Sequence, residues 1–475
     1  MSSGKAMLAS AAWCAALAAI GPPLRAGAPG PGFQWPAFQD IRYQEDWSVL
    51  AKRPEDAPRD FFDPIKYVPL NADGSWWASF GGQVRERLEV WRDFAFRRSG
   101  GNAEYLQSRF RLHGDFHFTP AFRFFLELKS AHTTDRELPM GRRPLDTDVL
   151  DIQNAFVEWN LFPSNEAKVT LRAGRQELAF GKQRLISPLD WGNSRRTFDA
   201  LSATLQLPAW TLTAFCGRVV IVEQYRTNRS DDDTHIYGVY ASHKLSKALT
   251  LDIYGLGFKN EAAAFNGTMG TERRWTLGTR LGGGIAGTGF DFDLEGAVQF
   301  GTIGGQDIRA CMLASQLGYT FAKAPATPRV FIGFDYASGD RRPGGDVQTF
   351  NQLYPLGHAY FGYADVLGRQ NLVAASTGIE LKPLKKLFVK LDGHYFWRAE
   401  SRDAAYNPLG GVARAGGLGS SRDIGGEIDL LVRYQVDRHQ TVIGGYSHFC
   451  PGSFIKQSGP SEDIDYCYLI WQFTF

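Results

Sequence analysis

The last eleven residues, Asp465–Phe475 (DYCYLIWQFTF), alternate two kinds of side chain along a predicted β-strand. Successive side chains of a strand point to opposite faces. One face carries Cys467, Leu469, Trp471, Phe473 and Phe475, and the other carries Tyr466, Tyr468, Ile470, Gln472 and Thr474. An exposed aromatic edge strand promotes aggregation, whereas a closed barrel pairs its last strand with its first. The stretch therefore favours a β-barrel, and a buried edge strand of a soluble β-protein is the alternative.

The same period of two recurs upstream. The clearest example is the segment 106–118, in which one face carries Leu106, Phe110, Leu112, Phe116 and Phe118 and the other carries Gln107, Arg109, Arg111, His113, Asp115 and His117. A transmembrane barrel turns such an apolar face to lipid and the charged face to an aqueous lumen. Segments near 80–91 and 122–129 follow the same pattern.

About eighteen such segments lie between residue 80 and the C-terminus, and they predict an all-β, transmembrane antiparallel β-barrel. Short and long connections alternate, the long ones including His132–Val149, Glu177–Arg195, Gly339–Asn371 and Ala399–Asp423. This alternation is typical of short periplasmic turns and long extracellular loops. Trp91 lies near a strand end and is predicted to belong to an interfacial aromatic girdle.

The N-terminus has the layout of a secretory signal peptide. Lys5 precedes the apolar run Ala6–Ile20, and the small residues Ala26–Ala28 follow it. We therefore expect three parts: a signal peptide at 1–28, a periplasmic arm or plug at 29–75, and the barrel at 76–475. The expected location is the outer membrane of a Gram-negative bacterium, with the N-terminus in the periplasm.

Composition excludes several other classes. The mean hydropathy of −0.26 is too low for a helical membrane protein. The 52 basic and 50 acidic residues nearly balance, which predicts no nucleic-acid partner. Four cysteines follow the signal peptide, too few for a disulfide scaffold. Cys450 and Cys467 flank one predicted hairpin loop, and the sequence leaves open whether they pair.

Two runs of residues resemble the alginate-export family of outer-membrane barrels. The first comprises Gly174–Leu178, Arg184–Trp191 and Arg195–Asp199, and the second comprises Ala337–Asp340, Thr349–Pro355, His358, Tyr360–Asp365 and Gly368. The likeness extends from about Tyr43 to Phe475. It implies an eighteen-stranded barrel and passage of an anionic polysaccharide. The expected surroundings are outer-membrane lipid and lipopolysaccharide, with Phe475 recognised by the barrel-assembly machinery. No long periplasmic turn late in the sequence could plug the pore.

A polyuronate carries one carboxylate per sugar ring, so its channel needs guanidinium groups along the path. Candidate pore residues are Arg85, Arg87, Arg109, Arg111, Arg123, Arg172, Arg175, Arg195, Arg196, Asp199, Trp191, Tyr354 and Tyr363. Further basic residues predicted to face the lumen are Lys129, Arg274, Arg280, Lys390 and Arg433. Predicted luminal acids include Glu89, Asp115, Glu127, Asp291, Asp293, Glu295, Asp335, Asp392, Glu427 and Asp429. Because the two signs nearly balance, many of these arginines could instead brace the wall. The aromatic residues could stack on sugar rings or pack the loops.

Other chemistry has little support in the sequence. His113, Asp115 and His117 alternate on one strand without a second ligand cluster, so no metal or cofactor is predicted. An enzyme would need converging catalytic groups, and only His358 and Asp365 are available. The preferred hypothesis is a channel for an anionic, alginate-like polysaccharide. The alternatives are an uptake porin for small organic acids or aromatic compounds and, from another class, a barrel enzyme or adhesion platform.

Overall fold

The structure is a computed structural model that describes residues 33–139, 141–162, 166–417 and 421–475. The predicted signal peptide at 1–28 lies outside the described residues. Within the described part of the chain, no helix is both long and apolar enough to span a bilayer.

Eighteen antiparallel strands form one closed barrel, as the sequence predicts. The barrel closes because Gln83–Arg92 of the first strand pairs with Asp465–Thr474 of the last. We number the strands β1 (Trp77–Arg92), β2 (Ala103–His117), β3 (Phe122–Thr133), β4 (Asp148–Leu161), β5 (Lys168–Gln176), β6 (Phe198–Gln206), β7 (Trp210–Ile221), β8 (Thr234–Lys244), β9 (Leu249–Phe265), β10 (Thr268–Gly284), β11 (Phe290–Ile303), β12 (Gln306–Thr320), β13 (Arg329–Ala337), β14 (Leu372–Leu384), β15 (Leu387–Arg398), β16 (Asp423–Gln435), β17 (Gln440–Pro451) and β18 (Ile464–Thr474).

The alternation along the strands separates an apolar outer surface from a polar interior. On β2, Phe110 and Leu112 are 44% and 57% exposed, whereas Arg109 and Arg111 are buried. A water-soluble barrel would place these side chains the other way round. Trp91 corrects one expectation, because it faces the interior and stacks on Tyr466 with ring centroids 3.9 Å apart. Its position, two residues from the luminal Glu89, already implies this face.

The connections follow the predicted alternation with two exceptions. The connections after even-numbered strands are short: the shortest is 385–386 and the longest is 321–328. Long loops at the opposite end of the barrel include 134–147, 177–197, 338–371 and 399–422. We call these the short-turn end and the long-loop end. The exceptions are the tight turns Asn266-Gly267 and Gly304-Gly305 at the long-loop end. The first of them lets β9 and β10 extend beyond Leu249–Phe258 and Trp275–Leu281, the strands that the sequence period predicts. All four turn residues have positive φ, the conformation required by two-residue hairpins.

Three chain segments occupy the lumen. Loops 177–197 and 338–371 enter from the long-loop end and meet where Tyr354 N donates to the Leu185 carbonyl at 2.8 Å. Residues 33–67 cover the short-turn end, where Phe62 stacks on Phe475 with centroids 4.9 Å apart. The apolar core of the protein therefore lies inside the barrel, between these segments and the wall.

Candidate functional site

The predicted basic residues of β1 and β2 form one patch on the barrel wall. Arg85 and Arg109 are direct cross-strand partners, and Arg87 and Arg111 lie next to them on the same face. Like charges directly opposite each other destabilise a sheet unless acceptors or counter-charges separate them. The structure therefore brings these residues together as predicted, and each needs a partner.

Loop 177–197 supplies most of those partners through its backbone. Arg85 donates to the Asp190 carbonyl at 2.8 Å and to the Gly192 carbonyl at 3.0 Å. Arg109 reaches the same Asp190 carbonyl at 3.0 Å, and Arg87 donates to the Trp191 carbonyl at 2.6 Å. Three arginines thus hold residues 190–192 against the wall, and the loop covers this patch from the lumen.

Charged side chains of the loop complete the network. Asp190 accepts from Arg109 at 2.9 Å and also pairs with Arg195, while Glu177 accepts from Arg195 at 2.5 Å. Burial raises the pKa of Asp190, but Arg109 and Arg195 outweigh this effect and hold the pKa well below its usual range. Burial lowers the pKa of Arg195, but Glu177 and Asp190 more than compensate and raise it. Both groups are therefore ionised at neutral pH.

The other arginines of this half of the barrel also have partners. Arg111 pairs with Glu127 at 2.9 Å. Arg123 forms a bidentate pair with Asp115 at 2.6 and 2.7 Å. The remaining ion pairs are Arg172 with Glu158 at 2.7 Å and Arg175 with Asp199 at 2.8 Å.

The N-terminal segment covers part of the same wall. Arg123 donates to the Tyr43 carbonyl at 2.8 Å, and Arg111 contacts the Asp40 carbonyl at 3.4 Å. The guanidinium of Arg172 lies 4.4 Å from the centre of the Tyr43 ring. Arg111, Arg123 and Arg172 thus hold residues 33–67 as well as their carboxylate partners.

Arg196 and Tyr354 join the two inward-folded loops. Arg196 donates to the Ser187 carbonyl at 3.2 Å and to the Pro355 carbonyl at 3.4 Å, and it lies over the Tyr354 ring. Burial lowers the pKa of Arg196 to about 10 and raises that of Tyr354 to about 12, so Arg196 is charged and Tyr354 neutral at pH 7.

Trp191 and Tyr363 meet around His358. Trp191 stacks on the His358 ring with centroids 3.5 Å apart, and the Tyr363 ring lies 5.1 Å from the same imidazole. The Tyr363 hydroxyl accepts from Lys390 at 3.3 Å. His358 itself pairs with Asp365 at 3.0 Å. All the predicted aromatic residues thus take part in loop packing.

An open space of about 890 Å³ lies on the opposite side of the lumen, along β8–β15. Its basic lining residues are Lys182, Arg184, Arg280, Arg329 and Lys390. Its acidic lining residues are Asp252, Asp291, Asp293, Asp335, Glu380 and Asp392. Most of these groups pair with each other, for example Arg329 with Asp291 at 2.6 Å and Arg184 with Asp293 at 2.7 Å. The cavity is therefore charged but close to neutral overall.

Sequence reasoning missed Lys182, Arg184, Asp252, Arg329 and Glu380 as lining residues. Arg329 could have been found, because it shares its strand face with Asp335, which the pattern places inside. Lys182 and Arg184 belong to an inward-folded loop, where strand periodicity carries no information.

A second cavity of about 120 Å³ lies among the long loops and is lined in part by Arg87, Trp91, Trp191, His358 and Asp365. The short turn Gly357–Ala359 separates the two spaces: Gly357 and His358 line the smaller cavity, whereas Ala359 and Tyr360 line the larger one. A solute passing between the two cavities would meet this turn.

A closed eighteen-stranded barrel with an apolar belt, a charged lumen and inward-folded loops defines an outer-membrane β-barrel of the porin type. Residues 76–467 match the family model described as Alginate export, and the chain belongs to that family.

Solved structures from Pseudomonas aeruginosa share the fold. OpdO matches with a TM-score of 0.57 and 13% identity, over 84% of this chain and 97% of that one. OccK2 (OpdF), solved in complex with glucuronate, matches with a TM-score of 0.55 and 12% identity, over 86% of this chain and 98% of that one. OpdK, solved with vanillate, matches with a TM-score of 0.55 and 11% identity, over 83% of this chain and 98% of that one. No curated protein sequence matches the chain.

Proposed function

We propose that this protein is a substrate-selective outer-membrane channel for small organic acids. The observation that supports this best is the filling of the lumen: two loops and residues 33–67 cover the basic wall and leave a cavity of about 890 Å³. A space of this size suits a ligand of drug-like dimensions rather than a wide polymer path. The known ligands of the similar barrels OccK2 and OpdK, glucuronate and vanillate, are small carboxylates of this kind.

In this proposal, forked guanidinium groups bind the substrate carboxylate in turn while neighbouring acids keep the arginines in place. Arg184, Arg280 and Arg329 are the candidate residues, because their side chains belong to the lining of the open cavity. The short turns and residues 33–67 face the periplasm, and the long loops face outward. Residues 33–67 narrow the periplasmic exit.

A second candidate is passage of an anionic, alginate-like polysaccharide, which membership of the alginate-export family favours. The patch around Arg85, Arg109 and Arg195 would then become accessible after loop 177–197 moves. Such a movement would have to break the carbonyl contacts at residues 190–192.

One set of measurements separates the two candidates. Refolded protein is placed in planar bilayers under a salt gradient, and glucuronate, vanillate or alginate oligomers are added. We expect anion selectivity, and current block by the small acids at lower concentrations than by the oligomers. Block by the oligomers alone would favour polysaccharide passage, and absence of conductance would contradict both.

The variant Arg329→Ala tests the path itself. It removes a cation from the cavity lining, so selectivity for anions should fall. Arg309→Ala is the matched control, because Arg309 is 69% exposed on the barrel surface and pairs only locally with Asp307. Equal selectivity of the two variants would show that the open cavity is not the anion path.

A further inference from the structure

Three carboxylates and one imidazole form a compact group on neighbouring strands of the lumen wall. Asp392 of β15 lies directly opposite Asp429 of β16, and His394 of β15 lies directly opposite Glu427 of β16. Asp429 is 0% exposed, Glu427 1% and Asp392 3%. Two buried carboxylates in direct cross-strand register repel each other unless a cation or a proton lies between them.

The positive charges around this group are too few. Lys390 contacts Asp392 at 2.7 Å and is the only Lys or Arg ion-paired with the three carboxylates among the described residues. Three ionised carboxylates and one ammonium leave two negative charges without a Lys or Arg partner among the described residues. Asp365, at the edge of the group, is occupied by His358 at 3.0 Å. A divalent cation would supply the missing charge.

Three buried oxygen atoms of the group accept no hydrogen bond from an N–H or hydroxyl donor of the described residues. They are Asp392 Oδ1, Glu427 Oε2 and Asp429 Oδ2. The Glu427 and Asp429 carboxyl groups also lie close enough to share a proton, which is the alternative to a cation between them. Other oxygens of the same side chains are satisfied: Asp429 Oδ1 accepts from Ser447 at 2.5 Å, and Glu427 Oε1 accepts from the Ala364 amide at 2.8 Å. A buried carboxylate oxygen without a partner is costly. These oxygens are therefore available to a cation.

The spacing of the donor atoms suits a small metal ion. His394 Nε2 lies 3.0 Å from Asp392 Oδ2 and 3.6 Å from Asp429 Oδ2. Tetrahedral coordination with bonds of about 2.0 Å places ligand atoms about 3.3 Å apart. An ion bound at Asp392 Oδ2 would leave Oδ1, which has no hydrogen-bond partner among the described residues, to accept from Lys390. We propose that Asp392, His394 and Asp429 bind a divalent metal ion of the zinc type, with Glu427 as the adjacent carboxylate.

Metal binding here would also affect a loop. The amide of Tyr363 donates to Asp429 Oδ1 at 3.3 Å, next to the contact between Ala364 and Glu427. A bound cation would keep these carboxylates ionised and oriented, and so would hold loop 338–371 against β16. Because Asp392 and His394 line the cavity of about 890 Å³, the ion could enter from the lumen.

The test is zinc binding to the full refolded protein after treatment with EDTA, measured by isothermal titration and by metal content after dialysis. A second group, His448, Cys450 and Asp463, lies at the outer surface and supplies the control. We expect His394→Ala and Asp429→Asn to weaken the tightest site by at least roughly tenfold, which corresponds to about 1.4 kcal/mol. His448→Ala should leave that site unchanged.

Heat-modifiable migration on gels verifies that each variant forms a barrel. Because His394→Ala and Asp429→Asn change different positions, the site can still be tested with one variant if the other fails to fold. Equal zinc affinity in His394→Ala, Asp429→Asn and the unmodified protein would overturn the assignment. Failure of the unmodified protein to retain zinc would also overturn it, and would favour a proton shared between carboxylates. Binding of Ca²⁺ with no binding of Zn²⁺ would overturn the proposed metal class.

Discussion

Arg195 lies 1% exposed between Glu177 and Asp190, so its charge is compensated entirely within loop 177–197 and its immediate surroundings. The sequence places it among the candidate pore residues because it lies at the mouth of this long loop, in a stretch that resembles the alginate-export family. The contacts of Arg195 instead suggest a role in holding the loop, and whether it touches substrate stays a prediction.

We predict that Arg195→Ala lowers the free energy of unfolding by about 3 kcal/mol, since it leaves the buried Glu177 without its cation. Urea unfolding in detergent micelles, followed by tryptophan fluorescence, measures the change. Arg309→Ala, which removes an exposed ion pair, should have little effect. A variant with unchanged stability but altered anion selectivity would support a direct role of Arg195 in the pore.

At the residue scale, strand periodicity correctly predicts which side chains face the lumen, including Arg85, Arg109 and Arg123. It cannot predict which of them contact solvent. For Arg85 and Arg109 that outcome depends on the carbonyl groups of residues 190–192, about eighty to one hundred positions away in the sequence, and for Arg123 it depends on the Tyr43 carbonyl. A lumen-facing arginine and a substrate-binding arginine therefore look identical in the strand pattern.

At the scale of elements, the N-terminal segment is held by a few buried polar groups. Lys66, at the end of the short helix Asp63–Lys66, is 1% exposed, and its ammonium lies 4.7 Å from the Trp47 ring. Burial, together with the nearby charges of Arg42 and Arg438, lowers the pKa of Lys66 to about 7 against the opposing charges of Glu45 and Asp60. An unfolded lysine has a pKa of about 10.4.

We predict that docking of residues 33–67 becomes more stable as the pH rises from 7 to 10. Between pH 7 and 10 the undocked lysine binds a proton that the docked lysine lacks, so raising the pH favours the docked state. Below pH 7 both states bind the proton, and the cost of burying the charged lysine is at its largest. Hydrogen exchange of residues 42–52, corrected for intrinsic rates, measures this stability. Lys66→Met preserves the apolar contact with Trp47 and should abolish the pH dependence, and persistence of the dependence in that variant would exclude Lys66 as its source.

The turn between β9 and β10 is one place where the local sequence is sufficient. Asn266-Gly267 is a strong signal for a two-residue hairpin turn, whereas the period of two alone predicts strands near Leu249–Phe258 and Trp275–Leu281. The structure continues β9 to Phe265 and starts β10 at Thr268. The loops that enter the lumen had no comparable local signal, because contacts such as Arg196 with the Pro355 carbonyl join distant parts of the chain.

At the scale of the whole molecule, the strand number and the closure of the barrel follow from local periodicity. The position and size of the open part of the lumen do not follow from it. It depends on three segments folding inward together, and the sequence alone left residues 29–75 as either an arm or a plug. The contacts of residues 33–67 with the wall support a plug, and this role is open to direct measurement.

We predict that deleting residues 33–66 increases single-channel conductance. The segment covers the short-turn end and is held there by Arg42, which donates to the Phe475 carbonyl at 2.8 Å, and by Tyr43, which donates to the Glu177 carbonyl at 2.6 Å. The deletion should still fold, because pairing of β1 with β18 closes the barrel without these residues. Arg42→Ala should give a smaller increase, since it removes one anchor, whereas Phe61→Ala should give none, since Phe61 is 72% exposed. If the deletion variant forms a heat-modifiable barrel with unchanged conductance, residues 33–66 do not restrict the path, and the restriction must lie between the two cavities at Gly357–Ala359.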